Sequence, residues 1–245
     1  MQSCRILIAV FLVVIFAGVA AADLKVTKIS HRDAFTMMGQ TQPAADEEQT
    51  TWIGEDRMRM MQGDSSNIVR LDTNTMTVIN HPKKTYSVID LPIDLEKFMP
   101  PGMAEQMKAM MTFEATVTPT DEYKTIGEWK ARRYDIEMKS QMMTMTATWW
   151  ATTDINLDQE AFGRMYEQVV SMQPGMADVT DEMKKIKGLV IEQDTTITMT
   201  MMGDNSFNTS ERTTAVEDLD PPAGIYDPPA DYTEKEFNFM ETMQK

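Results

Sequence analysis

Cysteine and histidine are almost absent from this chain of 245 residues. The single cysteine, Cys4, lies in the first apolar stretch, so the rest of the chain has no disulfide, no thiol nucleophile and no cysteine-ligated metal. The two histidines, His31 and His81, do not lie in an H-E-x-x-H helix, which excludes that zinc-protease motif. No G-x-S-x-G turn is present for a serine hydrolase.

Basic residues are also few, because 23 Lys and Arg stand against 38 Asp and Glu and give a formal net charge of −15. Binding to nucleic acid depends on Lys and Arg that displace counterions from phosphates. We therefore expect no nucleic-acid partner. The many carboxylates leave a two-carboxylate glycosidase open, but nothing in the sequence selects a pair.

Residues 1–22 have the three parts of a cleavable signal peptide. An n-region ends at Arg5, an apolar run covers 6–16, and Ala20 and Ala22 supply an A-x-A cleavage pattern. A retained anchor is the alternative, but a spanning helix needs about 20 apolar residues. No cysteine follows the cleavage site, so there is no lipobox. We predict a soluble periplasmic or secreted monomer without a stable membrane anchor, with residues 23–245 forming a single domain.

Period-two alternation is the main signal after Trp52 and predicts half-buried strands. In 133–138, Tyr134, Ile136 and Met138 alternate with charged residues and are predicted to point inward. The Trp149-Trp150 pair places one indole on each face of its strand. Further strands are predicted at 57–60, 68–71, 76–79, 86–89, 113–117, 143–147 and 196–201.

Helical spacing appears in three segments. They run from Asp158, as the cap, to Met172, from Pro101 through the methionines that follow it, and from Thr180 to Lys187. The polar segment 36–49 predicts a mobile loop, and the proline-rich residues 220–245 predict an extended tail on the surface. This order of elements predicts an α+β fold, mainly antiparallel β, with helices on one face of a sheet.

The signal peptide and four local segments, 52–59, 68–72, 80–86 and 126–130, resemble a family of exported bacterial proteins. That family is similar to the outer-membrane lipoprotein carrier (LolA/LolB-like) superfamily. The resemblance covers most of residues 23–245. It implies a strongly curved, incomplete β-barrel with two or three helices covering its concave face and an apolar cavity between the layers, which carriers use for acyl chains. It further implies a binding protein rather than an enzyme, with no cofactor.

Methionine is unusually frequent, with 25 residues, and its flexible thioether suits surfaces that accept variable apolar partners. Our ligand hypothesis is a lipid or other apolar molecule held between the sheet and its covering helices. The predicted contacts are Met103, Met107, Met110, Tyr134, Ile136, Met138, Met143, Met145, Ile197, Met199 and Met201.

Three other interpretations of the methionines stay open. The first is a methionine-biased core without a cavity, because apolar stripes at strand or helix spacing usually form core. The second is a Cu(I)-handling protein that uses 58–61, 142–145 and 199–202, since thioether sulfur selects Cu(I), although no histidine accompanies these runs. The third is a structural envelope protein that scavenges oxidants by reversible methionine oxidation.

Overall fold

A computed structural model of the chain describes residues 23–37, 40–155, 159–171, 176, 179–200 and 205–238. The predicted signal peptide, the predicted Asp158 cap and Met201 lie outside these residues.

Strands dominate the described part of the chain. They are β1 (Asp23–Arg32), β2 (Phe35–Met37), β3 (Gln40–Gln42), β4 (Ala45–Ile53), β5 (Arg57–Gln62), β6 (Ser65–Arg70), β7 (Thr75–Asn80), β8 (Thr85–Asp90), β9 (Glu114–Ile126), β10 (Trp129–Lys139), β11 (Met143–Thr152), β12 (Leu189–Met199), β13 (Asn205–Leu219) and β14 (Thr233–Glu234). The helices are α1 (Pro101–Met111), α2 (Gln159–Ser171) and α3 (Thr180–Met183), with a 3-10 turn at Leu95–Lys97.

Twelve of these described strands form one sheet in the order β14-β8-β7-β6-β5-β4-β1-β13-β12-β11-β10-β9. Neighbouring strands are antiparallel except for β14, which runs parallel to β8. Two runs of sequential strands, β4–β8 and β9–β13, therefore meet on either side of β1. The prediction of a mainly antiparallel β fold with a few helices is confirmed.

The alternation in 133–138 sets the orientation of β10. Tyr134 and Ile136 are each 1 % exposed and Met138 is 6 % exposed, while Glu137 lies in the exposed class. The inward orientation of these three side chains is thus confirmed. The predicted meander of 68–89 is confirmed as well, because β6, β7 and β8 pair in sequence.

The helix predictions hold for α1 and α2, whose observed bounds lie within about a residue of the predicted ones in the described range. The third helix is shorter than predicted. It ends after Met183, and the backbone N–H of Lys187 donates to the Tyr134 hydroxyl at 3.2 Å instead of continuing the helix.

The prediction of a loop over 36–49 is wrong in its described part. β2 and β3 form a hairpin, and β4 pairs along β1 from Ala45 onward. The sequence does not show this strand because Asp46, Glu47 and Glu48 are all exposed. This end of β4 has no buried face, and so no alternation of apolar and polar residues.

The proline-rich tail lies against β4–β8, consistent with the predicted surface position, and it is anchored. Tyr226 is 7 % exposed and packs with Trp52, Ile68 and Ile79. Its hydroxyl donates to Asp23 Oδ2 at 2.5 Å, and the buried Arg59 guanidinium donates to the Ile225 carbonyl at 2.8 Å. The tail therefore covers one face of this half of the sheet.

Two apolar clusters connect the sheet to its helices. In the first, Met165 of α2 packs with residues from four strands: Leu24, Val26, Ile53, Ala131, Leu189 and Ile191. In the second, Val179 and Met183 pack on Val117, Tyr134, Ile136, Met138, Ala147 and Ala151. Different clusters therefore hold α2 and α3. An open space remains between the two helices.

Gly188 makes the turn from α3 into β12 possible. Its φ is +90°, and a Cβ at this position would collide with the backbone carbonyl of Thr152. We predict that Gly188→Ala lowers the free energy of unfolding by about 2 kcal/mol or more, because strain and collision add. Urea-induced unfolding measures the loss.

Gly63→Ala is the matched control for this change. Gly63 also has a positive φ, +51°, but its Cβ would meet no atom within 4 Å. The control variant should lose about 1 kcal/mol at most. Equal stability losses in the two variants would contradict the proposed collision at Gly188.

Candidate functional site

A cleft of about 960 Å³ lies between α2, α3, the turn into β12 and the neighbouring strands. Ligand sites in proteins are commonly clefts of roughly 300–1,000 Å³ with mostly apolar walls. The apolar lining here comes from four elements, β11, α2, α3 and β12, and the connection before β12: Trp149, Phe162, Tyr166, Val170, Met183, Ile186, Leu189 and Val190. Its size and lining suit a small apolar molecule.

Trp149 belongs to β11 and stands opposite Tyr134 of β10. Its indole packs with the α3 cluster, whereas the indole of Trp150 packs with the α2 cluster. The predicted placement of the two rings on different faces is confirmed. The Trp149 N–H is buried, and no acceptor reaches it among the described residues.

Tyr166 of α2 contributes a ring that is still partly open to solvent. The residue is 39 % exposed. Desolvation raises the pKa of its hydroxyl. Tyr166 therefore stays neutral at physiological pH and serves as an apolar wall with a polar tip.

Charged side chains also border the cleft: Lys28, Glu167, Lys184 and Lys187. Lys184 Nζ lies 2.9 Å from Glu167 Oε1, and Lys28 Nζ lies 3.4 Å from Glu211 Oε2. Lys187 Nζ donates to the Lys184 carbonyl at 2.9 Å. Among the described residues no carboxylate pairs with Lys187, which leaves its charge uncompensated.

The predicted strand contacts lie beneath the cleft rather than in its wall. Cross-strand register places Tyr134 opposite Trp149, Ile136 opposite Ala147, and Met138 opposite Met145. All three β10 side chains are packed into the cluster under α3 and do not line the cleft. Sequence alternation identified their face correctly, but it does not separate packed core from cavity wall.

Met143, Met145, Ile197 and Met199 form the end of the same face. Met143 stands opposite Met199, and Met145 stands opposite Ile197. All four are partly exposed and lie outside the lining of the cleft. The structure thus brings these predicted residues together, at a distance from the space between α2 and α3.

The α1 methionines are not brought to the cleft. Met107 packs on a separate cluster of Leu95, Met99 and Ala104, and Met103 is 49 % exposed. Met110 is partly exposed and also absent from the cleft lining. The helices that cover the sheet beside the cleft are α2 and α3, so the expected covering role of α1 is wrong for the described contacts.

The two histidines have partners that sequence reasoning missed. His31 Nδ1 lies 2.6 Å from Asp46 Oδ1, and this hydrogen bond raises the pKa of the exposed imidazole. His31 borders an open polar groove of about 670 Å³ with Asp33, Asp135 and Asp194. Within the described residues, no group of three or more His, Cys, Asp or Glu is placed to hold a metal ion.

His81 joins the meander to the tail. Its Nε2 lies 2.7 Å from Ser66 Oγ, and its Nδ1 lies 3.0 Å from the Tyr232 hydroxyl. The Ser–His spacing is that of a nucleophile and its base. Ser66, however, is 1 % exposed beneath the tail, so no substrate can reach it in this arrangement. The chain of hydrogen bonds fastens the tail instead.

Comparisons with known proteins give no family assignment. No family model matches the chain, and no curated protein matches it. Among solved structures, PNGF-II is 10 % identical with a TM-score of 0.43, over 91 % of this chain and 32 % of that one. The apo haemoglobin receptor HpuA from Kingella denitrificans is 8 % identical with a TM-score of 0.20, over 85 % and 47 %. The chain thus spans less than half the length of either structure.

Among the described residues, no helix has the length and apolar character needed to cross a membrane.

A buried carboxylate ties together the strands that carry the cleft. The Glu192 side chain is 8 % exposed and forms ion pairs with Lys124 of β9 and Arg212 of β13. The Lys124 ammonium also lies 4.2 Å from the centre of the Trp150 ring. Burial opposes ionisation of Glu192, but the hydrogen bonds from Arg212 and Lys124 outweigh it and hold the pKa below its ordinary 4.5.

We predict that Glu192→Gln lowers the free energy of unfolding at pH 7 by about 3 kcal/mol, because two cations lose their buried partner. A depressed carboxylate pKa contributes stability above the unfolded pKa and loses it as the pH falls through the folded pKa. The difference between wild type and variant should therefore shrink below pH 4.5. Urea unfolding across this pH range measures it.

Glu137→Gln is the control, because its side chain is 62 % exposed and its Oε2 lies 3.6 Å from Lys139 Nζ. Its stability should match wild type within about 0.5 kcal/mol at every pH. A Glu192 variant whose deficit stays constant down to pH 3 would contradict the role given to the ionised carboxylate.

Proposed function

We propose that this protein is an exported, carrier-like binding protein that holds an apolar or lipidic molecule in the cleft between α2, α3 and the sheet. The observation that carries the proposal is the cleft itself. It combines a volume of about 960 Å³ with aromatic and aliphatic walls from two helices and two strands. An apolar ligand that enters such a space gains about 25 cal/mol for each Å² of apolar surface removed from water.

In this proposal the open sheet is a strongly curved, incomplete barrel and α3 covers its concave face, while α2, which packs on residues of the opposite face, forms the other wall of the cleft. The resemblance of segments 52–59 and 80–86 to exported relatives of the lipoprotein carriers supports the same picture. The predicted methionine contacts then have a supporting role. Met138 and Met145 shape the adaptable core on which α3 rests, and α3 in turn forms one wall of the cleft.

Gly163 offers a direct test, because it lines the cleft from α2 and a Cβ there would meet no atom within 4 Å. Gly163→Leu should fill part of the cleft without collision and also favour the helix by about 1 kcal/mol. We predict that it weakens binding of an apolar fluorescent probe about tenfold or more while the unfolding midpoint stays equal or rises. Fluorescence titration and urea unfolding measure the two quantities.

Gly102→Leu is the matched control, since Gly102 lies in α1, its Cβ would also meet open space, and it does not line the cleft. This variant should bind the probe like wild type. Two results would overturn the proposal. One is a wild-type protein that binds no apolar probe and yields no lipid on extraction with organic solvent, and the other is unchanged probe binding in Gly163→Leu.

A methionine-based Cu(I) site is a second candidate, favoured by the register of β10, β11 and β12. Met143 faces Met199 across one pair of strands, and Met138 faces Met145 across the next. Side chains directly opposite in an antiparallel pair have Cβ atoms about 5 Å apart. Four thioethers on one face, three of them partly exposed, are a plausible soft-metal set.

Titration with Cu(I) against a competing chelator tests this second candidate. If it holds, the double variant Met143→Leu/Met199→Leu should lose about tenfold in affinity, because two soft ligands are removed. Met103→Leu on α1 should keep the wild-type affinity. The same weak affinity in all three proteins would remove copper handling from consideration.

A further inference from the structure

Three of the four ionised side chains that line the cleft are cationic, in contrast with the acidic chain as a whole. The ionised groups in its lining are three ammonium groups, Lys28, Lys184 and Lys187, and one carboxylate, Glu167. The whole chain carries a formal net charge of −15. A cation in a cleft attracts a small anion when its own carboxylate partner is distant or absent, while the acidic remainder of the surface repels extended anionic surfaces.

The three lysines differ in how far their charges are compensated. Lys184 is paired twice, with Glu167 at 2.9 Å and with Asp181 at 3.0 Å. Lys28 has one long pair with Glu211, at 3.4 Å. For Lys187 no carboxylate partner is found in the described part of the chain. Lys28 and Lys187 are therefore the cations most available to a ligand.

The Trp149 ring lines the cleft, but its N–H is buried and has no acceptor among the described residues. This donor does not face the cleft, so recognition of an anion depends on the lysines.

We propose that the ligand is an anionic amphiphile with a single acyl chain, whose carboxylate lies at the Lys28 and Lys187 side of the cleft. The chain packs against Phe162, Val170 and Met183. This inference rests on the proposed function of the cleft and adds the chemical class of its ligand. An anionic membrane surface does not satisfy it, because the acceptor must enter a space bounded by α2 and α3.

Displacement of a bound apolar fluorescent probe by oleate and by oleyl alcohol tests the inference. The two ligands share a chain and differ in the head group, and both are used below the concentration at which oleate forms micelles, at a pH where it is ionised. We expect wild type to prefer oleate about five- to tenfold at low salt, as two exposed ion pairs allow, and to lose most of the preference at high salt.

Variants locate the head group. Lys28→Gln/Lys187→Gln should weaken oleate binding about five- to tenfold at low salt and so remove the preference for oleate over oleyl alcohol. Lys28→Arg/Lys187→Arg should keep it, because the charge is retained. Lys139→Gln, an exposed lysine that does not line the cleft, should behave like wild type.

The outcomes separate this inference from the proposed function. Equal wild-type affinity for oleate and oleyl alcohol overturns the anionic class while the apolar cleft stands. A preference that survives the double Gln change overturns the position of the head group. Failure of both ligands to displace the probe, or failure of the probe itself to bind, overturns the proposed function and this inference with it.

Discussion

The antiparallel hydrogen-bonded ladder assigns every second side chain of a strand to one face, and each apolar face then needs its own cover. β4 shows the consequence, because Trp52 is buried under the tail while the adjacent Ile53 is buried in the α2 cluster. β11 shows the same division, because Trp149 packs in the α3 cluster and Trp150 in the α2 cluster. The covers come from distant parts of the chain: residues 225–232 for one region, α2 for a second and α3 for a third. Each covering segment lies where the alternation of the strands leaves an apolar face open.

The cleft results from covering one sheet with two separate helices. Met165 packs α2 into one apolar cluster, and Met183 packs α3 into another. Close packing between the two helices would close the space. Instead Gly163 presents no side chain, and Gly188 turns the chain sharply after α3 by using a backbone conformation that other residues rarely adopt. Lys187, the residue before Gly188, lines the same cleft. This turn therefore contributes both to the wall of the cleft and to its charge.

Sequence reasoning succeeded where a periodic pattern reflects burial on one face. The alternation in 133–138 corresponds to three buried side chains, and the helical spacing in α2 places Met165 in the core, 2 % exposed. It failed at 45–48, where a paired strand is polar on both faces and carries no alternation. It also missed the lining of the cleft, because residues such as Lys28 and Lys187 line it from elements far apart in the chain. The contact between His81 and Tyr232, 151 residues apart, was hidden for the same reason.

The measurement closest to the central claim is a titration of ¹⁵N-labelled protein with oleate or an apolar probe, followed at the tryptophan indole N–H resonances. Trp149 borders the cleft, and its neighbour Trp150 packs on the other cluster, so the pair provides signal and internal control, assigned through Trp149→Phe and Trp150→Phe. The account predicts a saturable shift of the Trp149 indole resonance with little change at Trp150. Saturable binding that leaves Trp149 unmoved, or that moves Trp150 alone, would contradict it.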